Sequence, residues 1–85
     1  MTYSIITTTE VSKFYGDAGT FSNETAGKSK TFKDAKVIAT KVEREIAAEG
    51  FRRIAADMGR GYYKVTMLKK DGEEATFKTI KIIKD

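Results

Sequence analysis

One segment of this chain has the spacing of an amphipathic helix, and β-rich segments stand on both sides of it. From Phe32 to Glu49 the apolar residues recur every three or four positions, which places them on one helical stripe. Thr31 is a typical N-cap residue, and Gly50 suits the left-handed position that follows a helix. We therefore expect a single helix that lies on a flat surface. Its predicted buried residues are Ala35, Ile38, Ala39, Val42 and Ile46, and its predicted solvent-facing residues are Lys33, Lys36, Thr40, Glu43 and Arg44.

The segments before and after this helix predict an antiparallel sheet. "TYSIITTTEV" is rich in β-branched residues and predicts a long first strand. The Gly-, Ser- and Asn-rich stretch that follows predicts a loop, with a short second strand near Phe14-Tyr15 or Thr20-Phe21 left open. After the helix, "FRRIAADM" is predicted to be a strand, ended by Gly59-Arg60-Gly61, whose inward side chains are Ile54, Ala56 and Met58.

The strongest β signal is the hairpin "YYKVTMLKKDGEEATFKTIKII". A two-residue Asp71-Gly72 turn would mix apolar and charged side chains, because it pairs Met67 with Thr76 and Val65 with Lys78. A three-residue loop ending at Gly72 pairs Met67 with Ala75 and Val65 with Phe77, and it is the register we expect. It places Tyr63, Val65, Met67, Ala75 and Phe77 against the helix, and Lys64, Thr66, Thr76 and Lys78 in water.

Beyond Thr79 this pattern changes phase. Ile80, Ile82 and Ile83 cannot all point inward, so the sequence predicts a bulge or a second contact surface there. The predicted fold is a single α+β domain over residues 1 to 85, an antiparallel sheet of three to five strands with one amphipathic helix on one face. The predicted order is β-(β)-α-β-β-β.

Composition narrows the classes of function. The chain of 85 residues has no Cys and no His, which removes disulfides, thiol nucleophiles, Cys-based zinc sites and the commonest general base. No stretch approaches the roughly 20 apolar residues of a membrane span, and "MTYSIITTTE" does not resemble a secretory signal. We expect a cytoplasmic protein with no membrane partner, in which the sequon at Asn23 is a chance match.

The stretch "ETAGKSKTF" contains Gly27-Lys28-Ser29, the end of the phosphate-loop signature of nucleotide-binding proteins. The signature requires a glycine five residues before Gly27, where this chain has Ser22, and it works between a strand and a helix of a parallel sheet. We therefore expect no nucleotide and no other cofactor, and interpret the segment as a flexible entry to the helix. The acid pairs Glu43/Glu45, Glu45/Glu49 and Glu73/Glu74 are interpreted as exposed solubility groups, so no catalytic or metal site is predicted.

Positive charge gathers toward the C-terminal end. Of the net charge of +4, residues 1 to 27 carry −2, residues 28 to 50 carry +2 and residues 51 to 85 carry +4. Such a distribution favours polyanionic partners, although a soluble surface that happens to be basic explains it equally well. Arginine grips carboxylate or phosphate with two hydrogen bonds, and tyrosine anchors contacts. The predicted partner-binding residues are Arg52, Arg53, Arg60, Tyr62, Lys64 and Lys78.

The succession of "YSIITTTEV", a loop, the helix "SKTFKDAKVIATKV" and the hairpin "YYKVTMLKKDGEEATFK" resembles small phage-encoded proteins, among them some anti-CRISPR inhibitors. The resemblance spans most of the chain and concerns its architecture, so it assigns no contact residue. It implies a stoichiometric inhibitor in the cytoplasm of a host cell, which occupies a surface of a nuclease complex where nucleic acid would bind.

The function expected from the sequence is therefore a non-enzymatic binding module that binds a host protein or nucleoprotein complex. Two alternatives remain open. Direct binding of nucleic acid to the basic surface is one, although Glu43 interrupts the lysines of the helix and argues for a protein partner. A structural or assembly protein of a virion is the other, because exposed strand edges and the Ile80-Ile82-Ile83 tail could pair with a neighbouring chain.

Overall fold

The protein folds as a five-stranded antiparallel sheet with one helix on one face, as the sequence predicts. The computed structural model describes residues 2–13 and 20–85. The elements are β1 (Tyr3–Lys13), β2 (Thr20–Ser29), α1 (Phe32–Ala48), β3 (Arg52–Gly59), β4 (Tyr62–Asp71) and β5 (Glu74–Lys84). The strand order in the sheet is β2-β1-β5-β4-β3, so the helix joins the two edge strands.

The helix begins and ends where its sequence predicts. The Thr31 hydroxyl accepts a hydrogen bond from the backbone N–H of Asp34 at 3.2 Å, and Gly50 adopts a φ of 102°. Ala35, Ala39 and Ile46 are buried on the predicted face. Ile38 and Val42 pack beside them. The helix thus covers strands β2, β1, β5 and β4.

The second strand is longer than expected and reaches almost to the helix. Thr20–Ser29 pairs with β1 in antiparallel fashion, and the alternative position at Phe14-Tyr15 lies outside the described residues. Gly27, Lys28 and Ser29 therefore belong to a strand, and the prediction of a flexible entry is wrong. Glycine at position 27 serves close packing in this strand. A Cβ there would lie 3.1 Å from Ile38 Cγ2, so the glycine lets β2 approach the helix closely.

The β4–β5 hairpin adopts neither of the two registers considered from the sequence. Met67 pairs with Lys78, and Val65 pairs with Ile80. The turn residues are Gly72 and Glu73, with Gly72 at a φ of 63° in the first central position, as in a type II′ turn. Because the turn lies at Gly72-Glu73 and not at Lys70-Asp71-Gly72, a different set of β5 side chains lies on the same face of the sheet as Val65 and Met67.

This register gives the sheet two different faces, which we call the covered face, under α1, and the open face, on the opposite side. Ile80 and Ile82 lie on the covered face, because they share it with Val65. Phe77 and Ala75 lie on the open face, contrary to the prediction. Because β5 keeps one register with β4 and with β1, neither a bulge nor a change of phase occurs after Thr79; Ile83 simply points to the open face.

Strand β3 forms as predicted, but its expected inward side chains are not buried. Every residue of Arg52–Gly59 is exposed, including Ile54 and Met58 at 46% each. The helix packs on the other four strands and leaves this edge uncovered. A register shift between Arg53 and Ala55 marks a bulge, and Arg60-Gly61 forms the turn into β4.

The core lies between α1 and the covered face. The largest side chains that are almost fully enclosed within it are Ile5, Val65, Met67 and Ile80. Tyr3 closes one end of the core by packing edge-on against Phe32, with ring centroids 5.7 Å apart. Thr7 Oγ1 is buried on this face without a hydrogen-bond partner among the described residues.

Candidate interaction surface

The six predicted contact residues do not form one surface. Arg52, Tyr62 and Lys64 belong to the open face, where Arg52 lies opposite Leu68 and Lys64 lies between Asp57 and Lys81. Arg60 lies in the β3–β4 turn. The remaining two, Arg53 and Lys78, lie on the side of the helix. Their role in partner binding stays a prediction, and any partner that contacts all six must reach around the edge of the sheet.

Arg53 is tied to the helix by a bidentate ion pair. Its Nη2 donates to both oxygens of Glu43, at 2.6 and 2.8 Å, and its Nε donates to Oε1 at 3.2 Å. The Glu43 side chain is only 17% exposed. Below the pair, burial raises the pKa of Tyr63 above 10.0, and the nearby Glu43 carboxylate acts in the same direction. Arg53 thus stabilises the junction of α1 and β3, and Glu43 is withdrawn from the helix surface.

Lys78 points to the covered face, so its predicted orientation toward water on the outer face is wrong. Its Nζ lies 3.4 Å from Glu49 Oε2 and 5.3 Å from the centre of the Phe51 ring. Lys69 lies beside it and donates to the Glu49 carbonyl oxygen at 3.0 Å. The two lysines therefore close the C-terminal end of the helix, where a positive charge suits the helix dipole.

A further cationic surface is one that sequence reasoning did not select as a contact surface. The side chains of α1 that point away from the sheet form a line that we call the helix stripe, which is Lys33, Lys36, Lys41 and Arg44, with Val37 and Thr40 between them. All six are exposed, and they border a shallow depression of about 680 Å³. Helical periodicity predicts that Lys33, Lys36, Thr40 and Arg44 share the solvent-facing side with Glu43. Its ion pair with Arg53 joins residues ten positions apart, which no helical pattern indicates.

Arg60 extends this positive surface at one end. It lines a second shallow depression of about 480 Å³ together with Lys36, Phe32 and Met58. The depression lies between the start of α1 and the β3–β4 turn, so Lys36 belongs to both surfaces. Of the six predicted contact residues, Arg60 is the one that the fold brings next to the helix stripe.

No cluster of three or more acidic side chains that could hold a metal ion occurs within residues 2–13 and 20–85. Gly27, Lys28 and Ser29 lie on an edge strand that is antiparallel to its neighbour, whereas a phosphate loop links a parallel strand to a helix N-terminus. In the part of the chain that the structure describes, no helix has the length and apolarity needed to cross a lipid bilayer.

Comparison of the chain with protein-family models, with curated proteins and with solved structures found no match.

Proposed function

We propose that this chain is a non-enzymatic binding module that docks its helix stripe on an anionic surface of a host protein or nucleoprotein complex. The observation that carries the proposal is the ion pair between Arg53 and Glu43, which takes the acid beside Lys36 out of contact with a partner, while Asp34 and Glu45 stay exposed at the other side of the stripe. Four cations remain on one exposed helical face. Such a face complements phosphates or acidic side chains and favours fast, salt-dependent association.

The stripe stands on a rigid support. Its helix is capped at Thr31, closed by Lys69 at Glu49, and packed through Ala35 and Ala39 against four strands. Side chains on such an element keep their spacing when a partner binds, so less conformational entropy is lost in the complex. A module of this kind inhibits by occupying a surface, and it needs no reactive group.

The narrower proposal is anti-defence inhibition, in which the partner is a nuclease complex and the helix stripe covers a site where nucleic acid binds. It rests on the architectural resemblance to small phage-encoded inhibitors. A cationic helix face suits this role in two ways, because a nuclease complex presents both phosphates and the acidic side chains that surround a catalytic metal.

Direct binding of nucleic acid is a second candidate, and the composition of the stripe favours it. Three of its four cations are lysines. Lysine is depleted in protein–protein interfaces, whereas phosphate contacts use lysine and arginine freely. Because Arg53 holds Glu43, this acid no longer interrupts the lysines of the helix, and the argument against nucleic acid that rests on Glu43 is weakened.

A matched pair of double variants tests the main proposal. Lys36→Glu/Lys41→Glu reverses two charges of the helix stripe, and Lys64→Glu/Lys81→Glu makes the same charge change on the open face. Each protein is immobilised and exposed to lysate of a candidate host cell, with and without nuclease digestion. We expect the wild type and the open-face variant to retain the same nucleoprotein components, and the helix variant to lose them. Equal retention by both variants would contradict the proposal.

A salt titration with labelled duplex DNA separates the second candidate from the first. If the four cations each contact a phosphate, the logarithm of the binding constant falls with the logarithm of salt concentration with a slope of about −3.6. Lys36→Gln should then weaken the slope by about 0.9. Binding with no salt dependence, or a slope that the variant leaves unchanged, would eliminate phosphate contact through the stripe. Arg60→Glu in the same assays tests whether the β3–β4 turn belongs to the surface.

A further inference from the structure

The two edges of the sheet are not equally protected. The C-terminal end of strand β2 lies against the helix, where Gly27 meets Ile38, although residues 21 to 26 are exposed. In strand β3 all eight residues are exposed, although Arg53 is paired with Glu43 of the helix. The outer side of β3 carries a row of backbone N–H and C=O groups that another strand can pair with, and the chain contains no proline to block this. Ile54 and Met58, each 46% exposed, add apolar surface to the same edge.

The charges of β3 are complementary to those of a second, antiparallel copy of itself. Arg52 and Asp57 both lie on the open face, because their partners on β4 are Leu68 and Lys64. When Arg52 of one copy lies opposite Asp57 of the other, the twofold axis repeats the pair, so two Arg–Asp contacts form. Shifting the register by two residues in either direction places Arg52 opposite Ala55 or Gly59 and loses both contacts.

The same register accommodates the covered face. It places Arg53 opposite Ala56 of the second copy, and both residues lie on the covered side of their strands. The small alanine side chain leaves Arg53 free to keep its ion pair with Glu43. Ile54 and Ala55 lie at the bulge, next to the twofold axis. Ile54 of each copy lies opposite Ala55 of the other, so the apolar Ile54 side chains become covered.

We infer that two copies of this chain pair through β3 in antiparallel fashion, with Arg52 of each opposite Asp57 of the other. The two five-stranded sheets then form one continuous sheet. A twofold axis perpendicular to the sheet keeps both helices on the same side, so the two helix stripes face the same direction. This inference is independent of the proposed function, but it would give an anionic partner two attachment points.

Exchanging the charges at Arg52 and Asp57 tests the inference, and the measurement is the molar mass of the protein in solution. Light scattering of the wild type should give about 19 kDa, twice the 9.5 kDa of one chain. Arg52→Asp and Asp57→Arg should each give the mass of a single chain, because each places like charges opposite one another. Mixing these two variants in equal amounts should restore the double mass, since every contact across the axis again joins opposite charges. The double variant Arg52→Asp/Asp57→Arg should also pair.

The control is Lys70→Asp, which makes the same charge change as Arg52→Asp at an exposed position of β4, away from the paired edge. It should keep the double mass, and circular dichroism should show that every variant is folded. A wild type that stays at 9.5 kDa at its highest soluble concentration would overturn the inference. Single variants that still pair, or a mixture that does not, would overturn this register.

Discussion

The two faces of the sheet differ in what covers them more than in which residues they carry. On β5, Phe77 lies on the open face while Lys78 lies on the covered face, the reverse of what hydrophobicity alone assigns. Ile82 and Ile83 are neighbours of the same type, yet the first is 9% exposed and the second 41%. The helix decides burial, because it covers the middle of one face and leaves the ends of that face and strand β3 exposed. Lys78 is tolerated at such an end, where its ammonium group reaches Glu49.

The largest expected effect compares identical truncations on the two faces. Ile80→Ala removes a side chain that is fully enclosed under the helix, so it should lower the free energy of unfolding by about 3 to 4 kcal/mol. Ile83→Ala on the open face should cost less than about 1 kcal/mol. Urea denaturation of both variants measures the difference. Equal losses would show that the open face is also covered in solution, for instance by a partner.

The close approach between β2 and the helix sharpens the comparison at one point of the covered face. Gly27→Ala places a methyl group 3.1 Å from Ile38 Cγ2, and the forced displacement should cost about 1 to 3 kcal/mol. Gly59→Ala is the matched control, because a Cβ there meets nothing within 4 Å. Thermal unfolding should therefore show a lower midpoint for the first variant alone. A neutral Gly27→Ala would mean that Ile38 moves aside freely.

Adjacent threonines on β1 should respond in opposite directions to the same substitution. Thr7→Val replaces a buried hydroxyl that has no partner among the described residues, so it should stabilise the protein by about 1 kcal/mol. Thr8→Val removes a hydroxyl that donates to Asn23 Oδ1 at 2.7 Å on the open face, and it should be neutral or destabilising by less than about 1 kcal/mol. Denaturant midpoints check both signs. Destabilisation by Thr7→Val would indicate that a water molecule satisfies the hydroxyl.

The smallest expected effect concerns a polar contact at one end of the open face. The Asp85 carboxylate accepts hydrogen bonds from the hydroxyls of Thr2 and Ser4, both at 2.8 Å. These two hydrogen bonds hold the pKa of Asp85 below 3.8, and the bond from Thr2 has the larger effect. The ionised form therefore stabilises the fold above pH 3.8, and this contribution is lost as pH falls through the lowered folded pKa.

Asp85→Asn should remove that part of the pH dependence. The variant should differ most from the wild type near neutral pH and converge with it in acid, as followed by thermal unfolding. The control is Lys84→Gln, because Lys84 is next to Asp85 in the chain and takes no part in these hydrogen bonds. A difference that stays constant from neutral pH to well below 3.8 would contradict the assignment.

Local signals in the sequence predicted the elements well. The cap at Thr31, the glycine at position 50 and the three-to-four-residue spacing between them act within a few residues of chain, and the structure confirms all of them. The β-branched segments likewise predicted their strands. The hairpin register was missed because Asp71-Gly72 and Gly72-Glu73 are both acceptable turns, and choosing between them requires knowing which β5 residues the helix covers.

The candidate site was less predictable than the fold. Lys33, Lys36, Lys41 and Arg44 follow from helical periodicity, but the withdrawal of Glu43 from their side depends on Arg53, which lies on strand β3. The exposure of β3 was likewise invisible in "RRIAADMG", because its alternation is that of a strand with one buried side. A single helix covers only the strands over which it lies, and the sequence does not state which strand it leaves out.

The sequence by itself determined an α+β chain with one capped amphipathic helix, a set of strands, no cysteine or histidine chemistry and an excess of positive charge. Those properties depend on interactions between residues close together in the chain, or on composition alone. The tertiary structure decided the strand order, the hairpin register, the withdrawal of Glu43 by Arg53 and the open edge at β3. Each of these depends on which distant segments pack together, and packing over the whole chain fixes that choice.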